Sequence, residues 1–191
     1  MRLFDEVPPR PPRSGAGWEQ HRNARQSHVG PPQDEIGVPA MSSFELARSD
    51  DVVVAVRGIT AFYDGLLVSV VVLFSDEQRR EAVEWSLAEF SRSPGRFRLG
   101  VELPSGARAT TGTKDAPLVD SGDQGAALVQ QSAATGPLFW QGEYWLWPVP
   151  EEGTMIVGCC WPDRGIEESL VAVDTAPLVD AADSSKPVWQ S

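Results

Sequence analysis

The sequence predicts a mainly β protein, an antiparallel β-sandwich of immunoglobulin-like character with one inserted helix and a short C-terminal helix. Short runs rich in β-branched and aromatic residues recur along the chain, with Gly and Pro turns between them. Only one interior segment has helical periodicity, and no internal repeat is present. A chain of 191 residues suffices for one buried core and is short for two. We therefore expect one sandwich domain over residues 41–191, preceded by a tail.

The first predicted strands surround a hairpin. Phe44–Arg48 and the run from Val52 to Tyr63 are apolar at alternate or neighbouring positions, which is typical of strands. Asp64-Gly65 then separates two apolar runs, and we interpret these two residues as the centre of a type I′ turn. The return strand, Leu66–Phe74, is almost entirely apolar, which predicts a position in the middle of a sheet.

The inserted helix is predicted to follow this hairpin. Ser75 and Gln78 have the spacing of a capping box, in which each side chain satisfies a backbone amide of the other residue. Ala82, Leu87 and Phe90 then supply part of one apolar face. The pattern ends near Ser91, before a Ser-Pro-Gly sequence.

The remaining strands are shorter and separated by clear turn signals. Phe97–Leu103 alternates apolar residues with Arg98, Gly100 and Glu102, which predicts a half-buried strand with one wet face. Pro177 begins a predicted short helix that reaches Ala182. Further strands are predicted at Ala107–Thr111, Leu128–Ser132, Glu143–Val149, Thr154–Trp161 and Glu168–Val173.

Residues 1–38 are predicted to be a disordered tail rich in Pro and Arg. Seven prolines lie between Pro8 and Pro39, and apolar residues do not cluster there, so ordering this stretch would not be offset by burial. Within it, residues 8–13 read Pro-Pro-Arg-Pro-Pro-Arg, a polyproline-type sequence. Such a sequence is either a solvated linker or a ligand for an aromatic groove.

Charge and hydropathy limit the expected partners and location. From residue 41 onward there are 11 basic and 22 acidic residues, and such an acidic body repels phosphate backbones and anionic lipids. We therefore expect no nucleic acid and no membrane as partner. The longest apolar run, Leu66 to Phe74, is too short to span a bilayer, and the N-terminus lacks the apolar core of a secretory signal. A cytoplasmic location is the resulting expectation.

The residue types needed for catalysis are scarce in the predicted domain. Both histidines, His21 and His28, lie in the predicted tail, so no catalytic triad based on histidine is expected in the body. Cys159 and Cys160 are adjacent, and in a strand they project to opposite faces, one as a buried hydrophobe and one as a thiol on the other side. We expect neither a disulfide framework nor a metal site, and no cofactor.

Two acidic clusters leave alternatives open. Asp115, Asp120 and Asp123 share a Gly-rich loop that could offer oxygen ligands to calcium, but their spacing is not that of an EF-hand, which favours a solvated loop. Glycoside hydrolysis needs two facing acids, and Glu143, Glu151, Glu152, Glu167 and Glu168 cluster late in the chain. Acidic residues on wet strand faces and in turns are the favoured interpretation of this cluster.

The most informative feature is the placement of tryptophan. Four binding candidates, Trp140, Tyr144, Trp145 and Trp161, fall within 22 residues together with Trp147. In a strand Trp145 and Trp147 share one face and Tyr144 projects to the other, so both faces carry aromatic surface. Either this surface is core, or it is an exposed patch that binds a protein or a sugar. We expect Trp147 in the core and Trp140 at the rim, in a loop.

The segment around these residues resembles a family. Residues 144–150 read Tyr-Trp-Leu-Trp-Pro-Val-Pro, and Gly158-Cys-Cys-Trp-Pro162 and Gly165-Ile-Glu-Glu-Ser169 follow. They resemble the W-x-W-P-L-P, C-E-W-P and G-I-P-E segments of uncharacterised small proteins of high-GC Gram-positive bacteria. Cys160 stands where that pattern has Glu, and Glu167 where it has Pro. This resemblance extends over the predicted domain and implies a β-sandwich, but the family has no assigned activity and contributes no catalytic residues.

These observations favour a non-enzymatic domain for protein interaction or assembly. Its expected partner is another protein or a second copy, and a small-molecule ligand is not expected. A carbohydrate-binding module with exposed Trp rings is the first alternative, and a glycosidase-like enzyme with paired acids is the second. Burial of Trp145 and Trp147, flat exposure, or a pocket shared with Glu side chains would distinguish the three.

Overall fold

A computed structural model describes residues 29–76, 96–111 and 125–189 of the chain. These residues form ten β-strands, a 3-10 turn over Pro162–Arg164 and one α-helix. The strands are β1 Val38–Met41, β2 Phe44–Arg48, β3 Val52–Phe62, β4 Gly65–Phe74, β5 Arg98–Glu102, β6 Arg108–Thr110, β7 Ala127–Gly136, β8 Phe139–Trp147, β9 Thr154–Trp161 and β10 Ile166–Asp174, and the helix, α1, is Ala176–Ser184.

The strands form two antiparallel sheets that pack face to face. The large sheet has the order β1-β3-β4-β8-β7, and β2 also pairs with β3. A register shift between Val56 and Gly58 divides β3, so that β2 pairs with its first half and β1 with its second half. The small sheet has the order β10-β9-β5-β6. The predicted antiparallel β-sandwich is therefore confirmed.

One apolar core lies between the sheets, and it follows from alternation along each strand. On the large sheet, the even-numbered valines of β3 and β4 project inward, and Leu66 and Leu146 continue that face. On the small sheet, Leu99, Val157 and Met155 face them, each with at most 1% of its surface exposed. Helix α1 closes one end of the sandwich, where its buried residues Leu178, Ala181 and Ala182 join this core.

The β3–β4 hairpin is present, but the predicted turn was displaced by one residue. Phe62 pairs with Gly65, so the loop consists of Tyr63 and Asp64. Gly65 belongs to β4, where a Cβ atom would lie 2.6 Å from the Leu146 carbonyl oxygen and 2.6 Å from Cζ2 of Trp145. Glycine is required here because a neighbouring strand and an indole approach the backbone closely.

Residues 29–37 lie across the outer face of the large sheet, although the sequence predicted a disordered tail to residue 38. Gln131 of β7 donates through Nε2 to the Val29 carbonyl at 2.7 Å. At the other end, Gly37 is in direct contact with the Phe62 ring, and the Tyr63 amide donates to Glu35 Oε2 at 3.2 Å. Strand β1, which follows directly, was not among the predicted strands.

Other predicted elements can be compared in part. The helix from Pro177 to Ala182 is confirmed as the longer α1, and β9 has the predicted bounds. Strands β7 and β8 form a tight hairpin around Pro137 and Leu138. Strand β7 is longer than predicted at both ends, and β8 begins four residues earlier and ends two residues earlier than predicted. The predicted interior helix, the Asp115 to Asp123 loop, the Pro-Pro-Arg sequence and both histidines lie outside the described residues.

Candidate functional site

The four aromatic residues predicted to bind a ligand are all buried. The exposed fraction is 4% for Trp140, 0% for Tyr144 and Trp145, and 1% for Trp161. A sugar or a protein that stacks on an aromatic ring needs an open ring face. These residues offer none in this structure, so burial gives no support to the predicted binding role.

Trp140 and Trp161 help to join the two sheets. Both meet the ring of Phe97 in edge-to-face contacts, with centroids 6.5 Å and 5.5 Å away respectively. Trp140 lies in β8 opposite Val72, so the prediction that it sits at the rim in a loop was wrong. The reason is that β8 begins at Phe139, four residues before the predicted start, which turns the Trp140 side chain toward the core.

Trp145 and Trp147 share the outer face of β8, as their spacing predicted. Trp145 pairs with Leu67 and is fully buried, whereas Trp147 is half-buried. The prediction that Trp147 belongs to the core was therefore wrong for this residue and describes Trp145 instead. Trp147 is the last residue of β8, where it pairs with Ala127 of β7.

The adjacent cysteines occupy opposite faces of β9, as predicted. Cys159 is buried in the core, and burial, followed by the neighbouring Cys160, raises the pKa of its thiol to about 12. Cys160 is half-buried and lies on the outer face of the small sheet. The Cys159 thiol therefore stays protonated at neutral pH and cannot act as a thiolate nucleophile there.

The outer face of the small sheet contains a shallow trough of about 650 Å³, which is the candidate functional site. Its centre is formed by two glycines, Gly100 of β5 and Gly158 of β9, which pair directly across the strands. Leu170 of β10 leans over Gly158, where a Cβ atom would lie 2.5 Å from Leu170 Cδ2. With Ile156, these residues make an apolar floor, and the Leu170 side chain is 61% exposed.

Charged side chains border this floor on both sides. In one cross-strand row Arg98, Cys160 and Glu168 are neighbours, with the thiol between the two charges. Farther along the sheet, Arg108 Nε donates to Glu102 Oε2 at 2.6 Å, and these side chains are 74% and 39% exposed. The trough therefore presents positive and negative groups around an apolar centre.

The two acids of the trough lie far apart along the sheet. Glu102 and Glu168 are two strands apart and four residues out of register, which places their Cα atoms about 16 Å apart. No group of three or more His, Cys, Asp or Glu residues within the described ranges could hold a metal ion.

The sequence predicted the wet face of one of the four strands of this surface. It placed Arg98, Gly100 and Glu102 on the wet face of one strand, and the structure agrees. It missed that Gly158 would lie beside Gly100, although glycine inside a strand often marks a close approach. That signal was available in the sequence, but the pairing of β5 with β9 was not.

No helix among residues 29–76, 96–111 and 125–189 is long and apolar enough to cross a membrane. No family model, no curated protein and no solved structure matches this chain.

Proposed function

We propose that this chain is a non-enzymatic protein-binding domain and that the trough on the small sheet receives an amphipathic helix of a partner protein. The observation that carries the proposal is an exposed apolar floor, with Leu170 61% exposed, between charged groups of both signs. Exposed apolar surface with a polar rim is typical of protein interaction sites.

The dimensions favour a helix as the occupant. Four strands spaced about 4.8 Å apart give a face about 14 Å wide, which accommodates a helix about 10 Å in diameter. Gly100 lowers the face beside Leu170, whose side chain lies over Gly158, so a helical side chain can approach the backbone at Gly100. An extended peptide would gain less, because the main-chain groups of β5 and β9 are already bonded within the sheet.

The charges specify the partner further. Arg98 and Glu168 lie on opposite sides of Cys160, so the complementary helix carries an acid and a base on opposite flanks of its apolar stripe. These two residues have no hydrogen bond or ion pair among the described residues. A partner can therefore pair with them without first breaking an internal bond.

A site-specific crosslink tests the proposal. Thr110 lines the trough, and a photoreactive group attached to Thr110→Cys in a Cys160→Ser background should crosslink to an amphipathic helical segment of one host protein. Leu170→Asp should abolish the crosslink because it places a charge on the apolar floor. Leu138→Asp is the matched control, since Leu138 is also an exposed leucine, 46% exposed, but lies in the β7–β8 turn at the edge of the large sheet.

Three results would overturn the proposal. These are no crosslinked protein, a crosslink that survives Leu170→Asp, and a crosslinked segment without an apolar helical face. Charge reversal at Glu168 (E168R) should weaken the crosslink, and reversing the facing base of the partner to an acid should restore it.

A further inference from the structure

Four of the eight exposed large hydrophobic residues among the described residues belong to three segments that meet at Glu35. This terminal patch consists of Ile36, Tyr63, Val188 and Trp189, which are 72%, 64%, 45% and 74% exposed. Two of the four are aromatic, and the ring of Trp189 is the most exposed among the described tryptophans. A scattered exposed apolar residue needs no explanation, but a cluster of this kind indicates a binding surface.

Backbone contacts hold the parts of the terminal patch together. Glu35 and Pro187 form an antiparallel bridge, and the Val188 amide donates to the Asp34 carbonyl at 2.7 Å. The Glu35 carboxylate accepts from the Tyr63 amide at 3.2 Å and from Ser185 Oγ at 3.3 Å. The β3–β4 loop and both ends of the described chain thus meet at Glu35.

The surroundings of the patch are acidic. Asp34 and Glu35 belong to the segment that carries Ile36, and Asp64 follows Tyr63 in its loop. Lys186 is the one basic residue in these three segments, which cover residues 29–37, 63–64 and 185–189. A ligand for this surface therefore combines apolar rings or methylenes with positive charge.

The chain itself contains a segment with that chemistry. Residues 8–13 repeat the triplet Pro-Pro-Arg twice, and a polyproline II helix has three residues per turn. In that conformation Arg10 and Arg13 project along one edge, about 9 Å apart, while prolines occupy the other edges. Aromatic rings bind such prolines, and carboxylates bind the arginines.

The length of the intervening chain suits contact within one molecule. Fifteen residues lie between Arg13 and Val29, a length for which a random coil has a root-mean-square span of about 22 Å. Val29 lies beside Gln131 of β7, and the β3–β4 loop is three strands away and four to five residues farther along the strands, a distance of about 20 Å. A tether that matches its span gives an effective concentration in the millimolar range, so even weak affinity fills the site.

We infer that residues 8–13 dock on the terminal patch of the same molecule, with prolines against Tyr63 and Trp189 and arginines toward the surrounding carboxylates. This contact does not depend on the function proposed for the trough. It gives the Pro-Arg sequence a partner inside its own chain.

Paramagnetic broadening in the full chain tests this inference. A nitroxide on Ser14→Cys, in a Cys160→Ser background, should strongly broaden the amide signals of Ile36, Tyr63 and Val188 and the indole signal of Trp189. Trp189→Ala should remove the broadening at the other positions. Leu170→Ala, which removes an apolar side chain that is 61% exposed on the small sheet, should leave it unchanged.

Charge reversal separates the motif from the rest of the tail. Arg10→Glu with Arg13→Glu should abolish the broadening, whereas the matched pair Arg22→Glu with Arg25→Glu should preserve it. A mixture of nitroxide-labelled protein with isotope-labelled, spin-free protein should show no broadening. Broadening in that mixture, broadening centred on the trough, or uniform weak broadening would each overturn the inference.

Discussion

The indole of Trp145 meets the ring of Phe62 edge-on, with centroids 5.6 Å apart and ring planes inclined at 69°. This pair lies on the outer face of the large sheet, away from the core between the sheets. Gly65 lies beneath the indole, and Gly37 covers the Phe62 ring from outside. The large sheet is thus packed on both faces, and the outer aromatic pair forms a second, smaller apolar layer.

Trp145→Ala should destabilise the domain by about 3 to 5 kcal/mol, the usual cost of deleting a large buried aromatic side chain. Trp147→Ala should cost clearly less, because Trp147 is only half-buried. Denaturant unfolding of both variants measures the difference. Equal losses would contradict the assignment of Trp145, rather than Trp147, to the packed layer.

A Tyr144→Phe variant should be as stable as the wild type or slightly more stable. The Tyr144 ring is fully buried, and its hydroxyl has no hydrogen-bond partner among the described residues. Removing a buried polar group that lacks a partner also removes its desolvation cost of about 1 to 3 kcal/mol. Tyr144→Ala, which leaves a cavity, should by contrast be strongly destabilising. A loss above about 1 kcal/mol for Tyr144→Phe would indicate that the hydroxyl is bonded in solution.

The strands could be predicted because their signals are local. Alternation in β5 predicted both the element type and the buried face, since side chains alternate along a strand, and the apolar run of β4 predicted a strand inside the sheet. Strand limits were less secure. The start of β8 depends on a hairpin with β7, so Trp140 was misplaced by the absence of pairing information. Strand β1 is only four residues long and contains a proline, so its sequence has no recognisable strand pattern.

The trough could be predicted only in part, for a different reason. Its residues come from four strands, and Gly100 and Gly158 are 58 positions apart in the sequence. Each glycine is visible in the sequence, but their juxtaposition depends on sheet topology and register. The tryptophans, in contrast, were conspicuous and proved to be packing residues, because large aromatic surface is usually worth more buried than exposed.

Alkaline pH should destabilise the domain through Cys159. The thiol has an ordinary pKa of 9.0 in the unfolded chain and a pKa of about 12 in the fold, so above pH 9 the unfolded state loses a proton that the folded state keeps. The contribution of this thiol to the free energy of unfolding is therefore fully present below pH 9 and declines as the pH rises toward 12. Linkage gives a loss of about 1 kcal/mol by pH 10. Burial also raises the pKa of Tyr144, which acts in the same direction.

Cys159→Ala and Cys160→Ala form the matched pair for this test. Unfolding free energies at about pH 8 and pH 10 should differ less in Cys159→Ala than in wild type, although its stability at neutral pH is lower. Cys160→Ala should retain the wild-type dependence. An unchanged pH dependence in Cys159→Ala would show that its thiol does not titrate differently in the two states.

A chain that begins at Met41 should be less stable than one that begins at Val29, although the sequence predicts a disordered tail up to residue 38. The shorter chain loses the pairing of Val38 and Pro39 with β3, the Glu35 acceptor of the Tyr63 amide, and the cover over Phe62. Uncovering about 100 to 150 Å² of apolar surface at ~25 cal/mol per Å² costs about 2 to 4 kcal/mol.

The chain that begins at Val29 retains all these contacts and should lie within about 1 kcal/mol of the full chain. Denaturant midpoints of the three chains measure this order, and exposure of the outer aromatic layer should raise dye binding in the Met41 chain alone. Equal midpoints for the Met41 and Val29 chains would show that residues 29–40 contribute nothing to stability and that the outer layer of Phe62 and Trp145 is held by the sheet itself.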